Sequence, residues 1–285
     1  MQVVKDFNEY KLLDLKDGKK LESWNGIILD RPDPEVIWPS ITNENWNKAL
    51  AKYDRSDKGG GAWSNTRVPS SWQIHYKNLT FNLKLMGFKH TGLFPEQAYN
   101  WNILMDRIKT SNRPIKVLNL FAYTGAASVA CLSAGASVVH VDSSRGMVDW
   151  AKENVKSSGL EDRPIRYIVD DVKKFVKREM RRGNKYDIII MDPPSFGRGS
   201  NGEVWSIEKD LYPLVLACSN LLSDDPLMFL INSYTTGLSQ SVLENILKLT
   251  VCSKYKGSIV KDELGIKVEN SDIILPCGIF ARWEK

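Results

Sequence analysis

The sequence predicts an α/β protein in which a doubly wound, mostly parallel sheet follows a small β-rich N-terminal module. After about residue 112, five apolar, β-branched runs alternate with helix-length segments. Before it, short apolar runs are separated by turn signals. The 285 residues, with 42% hydrophobic, 10% aromatic and 26% charged side chains, suffice for one large domain plus a module and exclude disordered, fibrous and low-complexity classes. A net charge of +5 permits a polyanionic partner without requiring one.

From the start, MQVVKDFNEYKLLDLKDGKK carries acids and no continuous apolar stretch, so neither a secretory signal nor a membrane span is expected. Between Tyr10 and Trp38, the runs YKLLDL and SWNGIILD flank the turn-like DGKK and predict a hairpin that leads into Pro32 and Pro34. Five of the nine Trp (Trp24, Trp38, Trp46, Trp63 and Trp72) lie in the first 75 residues, interleaved with Lys52, Arg55, Lys58, Arg67, His75 and Lys77. Aromatics amid cations can stack bases and neutralise phosphates. The simpler reading is that a small module uses Trp as bulky core. GGGAW at 59–63 reads as a loop, and no internal repeat is visible.

Then come KVLNLF, the small-residue helix TGAASVACLSAG, ASVVHVD, the helical RGMVDWAKENVKSSG, IRYIVD and the helical DVKKFVKREMRRG. YDIIIMD, the loop PPSFGRGSNGEVW, the helical IEKDLYPLVLACSNLL and PLMFLINS follow. Continuous apolar strands must be covered on both faces, which implies parallel strands with helical crossovers. Right-handed crossovers place the loops after each strand along one carboxyl edge, where such sheets bind ligands.

On that edge, Gly125 ends the first strand's loop and allows close backbone approach beside a helix N-terminus; equally, it is a turn glycine that lets helix pack on strand. Asp142 ends the second strand, seventeen residues on, where an acid binds a ribose diol in nucleoside-binding βαβ units. Asp170 and Asp171 end the third, where an acid can accept an adenine amine; Asp171 also fits a helix N-cap. Asp192-Pro193-Pro194-Ser195-Phe196 ends the fourth and is the most specific feature. Two prolines hold the chain extended and remove two donors, leaving an acceptor-rich pocket with Phe196 beside it to stack on a ring.

The series NLFAYTG, VDSS, VDD and MDPPSF, at these spacings, resembles the class I S-adenosylmethionine-dependent methyltransferases. More narrowly, it resembles the ribosomal RNA large-subunit methyltransferase group that includes the cytosine carbon-5 enzymes of 23S RNA. FKHTGLFPEQ at 88–97 is similar to that family's TG-aromatic-x-x-(D/E)-Q segment. The resemblance spans residues 88 to 283. It implies a Rossmann-like seven-stranded sheet whose antiparallel last strand is Gly278 to Trp283, with S-adenosylmethionine as cofactor. Domains of 1–87 and 88–285 follow, the first helping to present substrate. On this resemblance Asn119, Phe121, Tyr123 and Gly125 line the methionine side, while Asp142, with Ser143, meets the ribose. Asp171, or Asp170 in its place, meets the adenine amine; Asp192 lies between sulfonium and acceptor; Phe94 and Gln97 close the pocket.

One departure matters. Carbon-5 chemistry needs a thiolate to attack the ring, and the position that looks equivalent to the family's cysteine holds Ser233. Cys131 and Cys218 sit in helical patterns as small core residues, and Cys252 and Cys277 fit no nucleophile position either. A nitrogen acceptor needs less: Asp192 and the Pro193 carbonyl grip the amine while Phe196 stacks on the base. Nitrogen methylation more often goes with Asn-Pro-Pro and a following aromatic, so the sequence leaves the atom open.

The basic run Lys173, Lys174, Lys177, Arg178, Arg181, Arg182 and Lys185 reads first as a solvated helix face, and Arg198 is the better phosphate contact. His75, His90 and His140 are scattered, and no metal constellation or CxxC pair appears. The expected activity is methyl transfer to a base in RNA, most simply ribosomal RNA, by a cytoplasmic protein with reduced thiols, no membrane partner and no metal. A protein or small-molecule methyltransferase, or a non-catalytic RNA-binding module that retains the fold, are the alternatives.

Overall fold

The computed structural model describes residues 1–42, 44–56, 60–199 and 202–285. Lys58, Gly59, Ser200 and Asn201, which fall in the expected basic and loop segments, lie outside the described residues. The chain forms two compact units, Met1–Tyr99 with Leu264–Cys277, and Asn100–Glu263 with Gly278–Lys285.

The first unit opens with β1 (Gln2–Val3), β2 (Tyr10–Lys16), β3 (Lys19–Trp24) and β4 (Ile27–Pro32), and continues with β5 (Ala51–Arg55), β6 (Gly61–Ser64), β7 (Trp72–Tyr76) and β8 (Leu79–Leu83). The strands β2-β3-β4-β5-β6 make one sheet and β7-β8 a two-stranded ribbon. The expected hairpin is present, but SWNGIILD is not a single strand. Asn25 (φ 51°) and Gly26 (φ 84°) turn the chain between β3 and β4, just as Asp17 (φ 43°) and Gly18 (φ 80°) do between β2 and β3. Two consecutive left-handed residues match the twist of a two-residue hairpin, which is why Asp-Gly and Asn-Gly fill both turns. GGGAW corrects likewise: its described end, from Gly61, is β6, paired with β5.

The five Trp are buried or half-buried rather than a stacking platform. Trp24 is fully buried, edge-on to Tyr10 at 4.6 Å. The indole nitrogens of Trp46 and Trp63 donate to Asp14 (2.8 Å) and to the Met86 carbonyl (2.7 Å). Beside Trp24, the buried Glu22 carboxylate accepts from Tyr10 Oη at 2.6 Å and from Arg31 Nη2 at 2.8 Å. Burial alone would raise that carboxyl; Arg31 and Lys20 outweigh it and hold it at about 2.

The second unit contains α1 (Ala98–Thr110), β9 (Lys116–Leu120), α2 (Ala126–Ser133), β10 (Ser137–Asp142), α3 (Arg145–Ser157), β11 (Ile165–Val169) and α4 (Val172–Arg182). It continues through β12 (Ile188–Met191), β13 (Phe196–Arg198), β14 (Val204–Ser206), α5 (Ile207–Ser219), β15 (Met228–Ser233) and α6 (Gln240–Thr250). Last come β16 (Ser258–Lys267) and β17 (Ile274–Glu284), whose stretches within 264–277 belong to the first unit. The sheet order is β1-β16-β17-β15-β12-β9-β10-β11. Strands β9 to β12 and β15 are parallel neighbours, and β17 runs antiparallel to β15. Seven of these strands make the expected doubly wound sheet with an antiparallel last strand, and one extra short strand, β1, pairs with Leu264 and Gly265.

All residues of β12 and β15 are buried, which explains their unbroken apolar runs. Phe175, Leu211, Leu214, Leu243 and Leu247 of α4, α5 and α6 pack with Leu118, Leu120, Ile189, Phe229 and Trp283 on one face of the sheet. Among the described residues no helix is long and apolar enough to cross a membrane.

Glu22→Gln is expected to cost about 3 kcal/mol at pH 7, because it leaves Arg31 buried without its counter-charge. The native carboxyl is depressed, so its contribution is complete above 4.5 and fades as pH falls toward about 2. Urea unfolding at a series of pH values checks this: the gap between wild type and variant should close through that window.

Candidate functional site

Register builds the site. Leu120 stands opposite both Val141 and Met191, and Met191 opposite Ile231. The next residues, Phe121, Asp142, Asp192 and Asn232, therefore stand level at the carboxyl edge, where Phe121 and Asp192 leave their strands while Asn232 still pairs with Phe280. Asp142 in turn pairs with Val169, after which come Asp170 and Asp171.

The loop after β9 alternates in hand: Phe121 (φ 54°), Tyr123 (φ 52°) and Gly125 (φ 82°) are all left-handed. For Phe and Tyr this conformation costs on the order of 1–3 kcal/mol each. It is held by Ala122 N donating to the Val141 carbonyl (3.1 Å) and Gly125 N to the Ala122 carbonyl (2.9 Å). Asn154 Nδ2 donates to the Thr124 carbonyl at 2.8 Å. A Cβ on Gly125 would stand 2.8 Å from Ala151 Cβ, so the glycine lets the loop pack on α3 as well as turn. Helix α2 then starts with no side-chain cap, leaving its first N–H groups to an acceptor from elsewhere.

Asp142 is the hub of this edge. Its Oδ2 accepts from Tyr123 N at 2.8 Å and its Oδ1 from Ser144 N at 2.9 Å. Burial raises its carboxyl, while the backbone N–H groups of Ser144, Tyr123 and Ser143 pull the other way. Ser143 is exposed. Asp171 caps α4 by accepting from Lys174 N at 2.9 Å, and Asp170 is ion-paired with Arg178.

Asn119 faces the opposite way from its neighbours. Strand alternation sends Leu118 and Leu120 to the α4–α6 face and Asn119 toward α2, where its Nδ2 donates to Ser128 Oγ at 3.0 Å. Ser128 Oγ lies 3.0 Å from His140 Nδ1. Burial keeps His140 neutral, its imidazolium lowered to about 3.

Beyond β12, Asp192 is half-buried and Pro193 buried. The segment after them is not a loop: β13 and β14 form a hairpin, with Gly197 opposite Trp205. Phe196 (57% exposed) and Val204 (50%) share its outer face with Arg198, while Trp205 (6%) points inward. Trp205 was not singled out by sequence, although Phe-Gly-Arg and Val-Trp-Ser around a Gly-rich turn carry the period-2 signal. Its Nε1 donates to the Pro194 carbonyl at 2.6 Å, and its ring packs on Phe121 with centroids 4.9 Å apart. Ser195 Oγ meets Thr235 Oγ1 at 2.7 Å.

The basic helix is largely paired. Lys173 bonds the Val204 carbonyl (2.9 Å) and Asp210 (3.0 Å), Lys174 pairs with Glu203, and Arg182 with Glu179. Two of these cations thus tether the hairpin.

Ser233 is 1% exposed, and its Oγ accepts from Thr235 N at 3.2 Å. Burial pushes the thiols up: Cys131 to about 12, and Cys218, Cys252 and Cys277 in the same direction. None of these four has the lowered pKa of a nucleophile. Phe94 and Gln97 belong to the first unit, where Phe94 precedes a 3₁₀ turn over Pro95–Gln97. Cys277 also belongs there. Among the described residues no cluster of His, Cys, Asp or Glu could hold a metal.

Residues 42–239 match the model of the S-adenosylmethionine-dependent methyltransferase family. Ribosomal RNA large subunit methyltransferase K/L of Pseudoalteromonas atlantica is 38% identical over 178 residues, which are 61% of this chain and 24% of that protein. Ribosomal RNA large subunit methyltransferase K of Neisseria meningitidis is 27% identical over 84% of this chain and 64% of its own. The chain spans between 20% and 28% of the length of the K/L relatives. The crystal structure of a SAM-dependent methyltransferase from Agrobacterium tumefaciens is 35% identical and superposes with a TM-score of 0.91 over 97% of this chain and 90% of that one. With the family model spanning most of its length and a relative matched nearly end to end, the chain belongs to the S-adenosylmethionine-dependent methyltransferase family.

Proposed function

We propose that this chain transfers a methyl group from S-adenosylmethionine to a ring or exocyclic nitrogen of an RNA base, with ribosomal RNA as the substrate and the cytoplasm as its place of action. The observation that carries the proposal is the carboxyl edge itself, where the Asp192-Pro193-Pro194 segment stands beside the strained Phe121–Gly125 loop with an aromatic exposed next to it. The RNA part is supported by the names of the curated relatives, ribosomal RNA large subunit methyltransferases K/L and K.

The donor set fits the cofactor, which carries a carboxylate, a ribose diol and an adenine amine. The uncapped N-terminus of α2 offers N–H groups to the carboxylate. Asp142, held in place by backbone donors, has lone pairs left for the diol, with Ser143 beside it. Asp171 keeps one oxygen clear of its capping bond for the amine, whereas Asp170 is engaged by Arg178. Phe121, Tyr123 and Gly125 form the wall on the methionine side, and Asn119 supports it from within the sheet through Ser128. When bound, S-adenosylmethionine supplies an electrophilic methyl on a sulfonium.

The chain's own residues do the rest. Asp192 Oδ accepts one N–H of an exocyclic amine, orients its lone pair and takes up the proton released on methylation, while the Pro193 carbonyl accepts the other N–H; a ring nitrogen presents its single N–H to Asp192 alone. Phe196 stacks on the base, and Arg198, on the same face of the hairpin, meets a neighbouring phosphate. The raised thiols and the buried Ser233 oppose a carbon-5 route, which needs a thiolate. A protein or small-molecule acceptor is the competing reading, favoured by the pairing of the α4 cations with acids rather than with open solvent.

Asp142→Asn should weaken S-adenosylhomocysteine binding roughly 10-fold to 100-fold by calorimetry, the scale of a lost charged hydrogen bond. Unchanged affinity would displace the ribose from Asp142. Asp192→Ala should keep that affinity and lose roughly 100-fold or more in kcat. Mass spectrometry of ribosomal RNA nucleosides from cells with and without the gene tests the substrate: one nitrogen-methylated nucleoside should vanish and return on treatment with protein and cofactor. Carbon-5 methylcytosine in its place, or no missing nucleoside, would refute the assignment. RNA affinity that does not fall with salt would favour the competing reading.

A further inference from the structure

We infer that Trp205 is a positioning residue of the acceptor site, one that sets which of the two proline carbonyls faces the substrate. The inference rests on the methyl-transfer reading above, and its geometry stands on this chain alone. Asp192, Pro193 and Pro194 lack a following helix to fix them, and the two prolines contribute no N–H. The carbonyls at 193 and 194 are chemically alike acceptors in different surroundings, Pro193 buried and Pro194 exposed. Trp205 adds a second distinction: its Nε1 claims the Pro194 carbonyl at 2.6 Å. Among the described residues no hydrogen bond reaches the Pro193 carbonyl, which leaves it beside Asp192 for an amine.

The indole is held on every side that matters. It is 6% exposed and packs on Phe121 at 4.9 Å, with 59° between the rings. Its strand is pinned by Ser206 N to Asp210 (2.9 Å), by Lys173 Nζ to the Val204 carbonyl (2.9 Å) and by Ile207 N to the Ser195 carbonyl (3.0 Å). Two of these anchors flank Trp205 in sequence, so the ring has little freedom to follow a drifting proline. One residue thereby bridges the Phe121 loop and the acceptor loop, with its ring on the first and its N–H on the second. Phe at this position would keep the packing and lose only the donor, which makes Trp205→Phe the informative change.

Three measurements on the full chain decide it. Calorimetry with S-adenosylhomocysteine should give wild-type affinity within about threefold, because the ring contact to Phe121 survives. With ribosomal RNA from cells lacking the gene, kcat should fall between roughly 10-fold and 100-fold at little-changed KM, the scale of a misplaced reacting group. Without any ligand, amide hydrogen exchange should quicken at Ser195–Arg198 while β9, β10 and β12 keep wild-type protection. Wild-type kcat, or a parallel loss of S-adenosylhomocysteine affinity, would overturn the inference, as would unchanged exchange. If wild-type protein methylates no RNA, the functional reading fails, and the exchange result still decides whether Trp205 holds the loop.

Discussion

The carboxylate of Asp142 is the constraint on which the edge depends. It gathers backbone N–H groups from both sides, Tyr123 in the loop after β9 and Ser143 and Ser144 after β10. A β10 side chain thereby fixes the shape of the β9 loop. Left alone, Phe121 and Tyr123 would relax out of the left-handed region, where non-glycine residues pay in steric energy. The sheet register and the Asp142 acceptors hold them there, and Gly125 brings the loop against Ala151 before α2 begins. The cradle is thus pre-shaped by the protein's own hydrogen bonds.

Charge around this edge is used mostly for architecture. Arg178 engages Asp170, Lys173 and Lys174 hold the β13–β14 hairpin, and Arg182 pairs with Glu179. A helix that reads first as a solvated face in sequence is, in three dimensions, largely a set of struts. On the outer face of the hairpin, by contrast, Phe196, Arg198 and Val204 alternate away from the buried Trp205.

Strands β9, β10, β12 and β15 were legible because burial writes them as nearly unbroken apolar runs, and the acids were legible because the β10, β11 and β12 runs stop at Asp142, Asp170 and Asp192, whereas the mixed run of β16 (Ser258–Lys267) was not read as a strand. Other features were not. The period-2 signal of β13 and β14 extends over only three residues each, too short to outweigh the Gly-rich loop reading, so Trp205 went unnoticed. Asn25-Gly26 was hidden inside an apolar run, though it is the same turn chemistry as Asp17-Gly18. Asn119 was read from its motif, while strict alternation along KVLNL turns it away from Leu118 and Leu120 and into α2. The ion pairs of α4 join residues far apart in the chain, such as Lys174 and Glu203, and no local pattern announces them. The roles given to Phe94 and Gln97 stem from resemblance, since neither has a local signal of its own.

The first unit draws residues from both ends of the chain, Met1–Tyr99 and Leu264–Cys277. In the completing segment, Leu264 and Gly265 pair with β1, Val268 bridges to Leu12, and Glu269 meets Lys11. Such pairings close very long loops, which makes them late and slow to form. On a ribosome the N-terminal residues emerge first, yet their unit stays incomplete until nearly all of the second has been made. The usual order in which a leading module is complete before the trailing one is made is therefore closed to this chain, whose first unit waits for Leu264–Cys277.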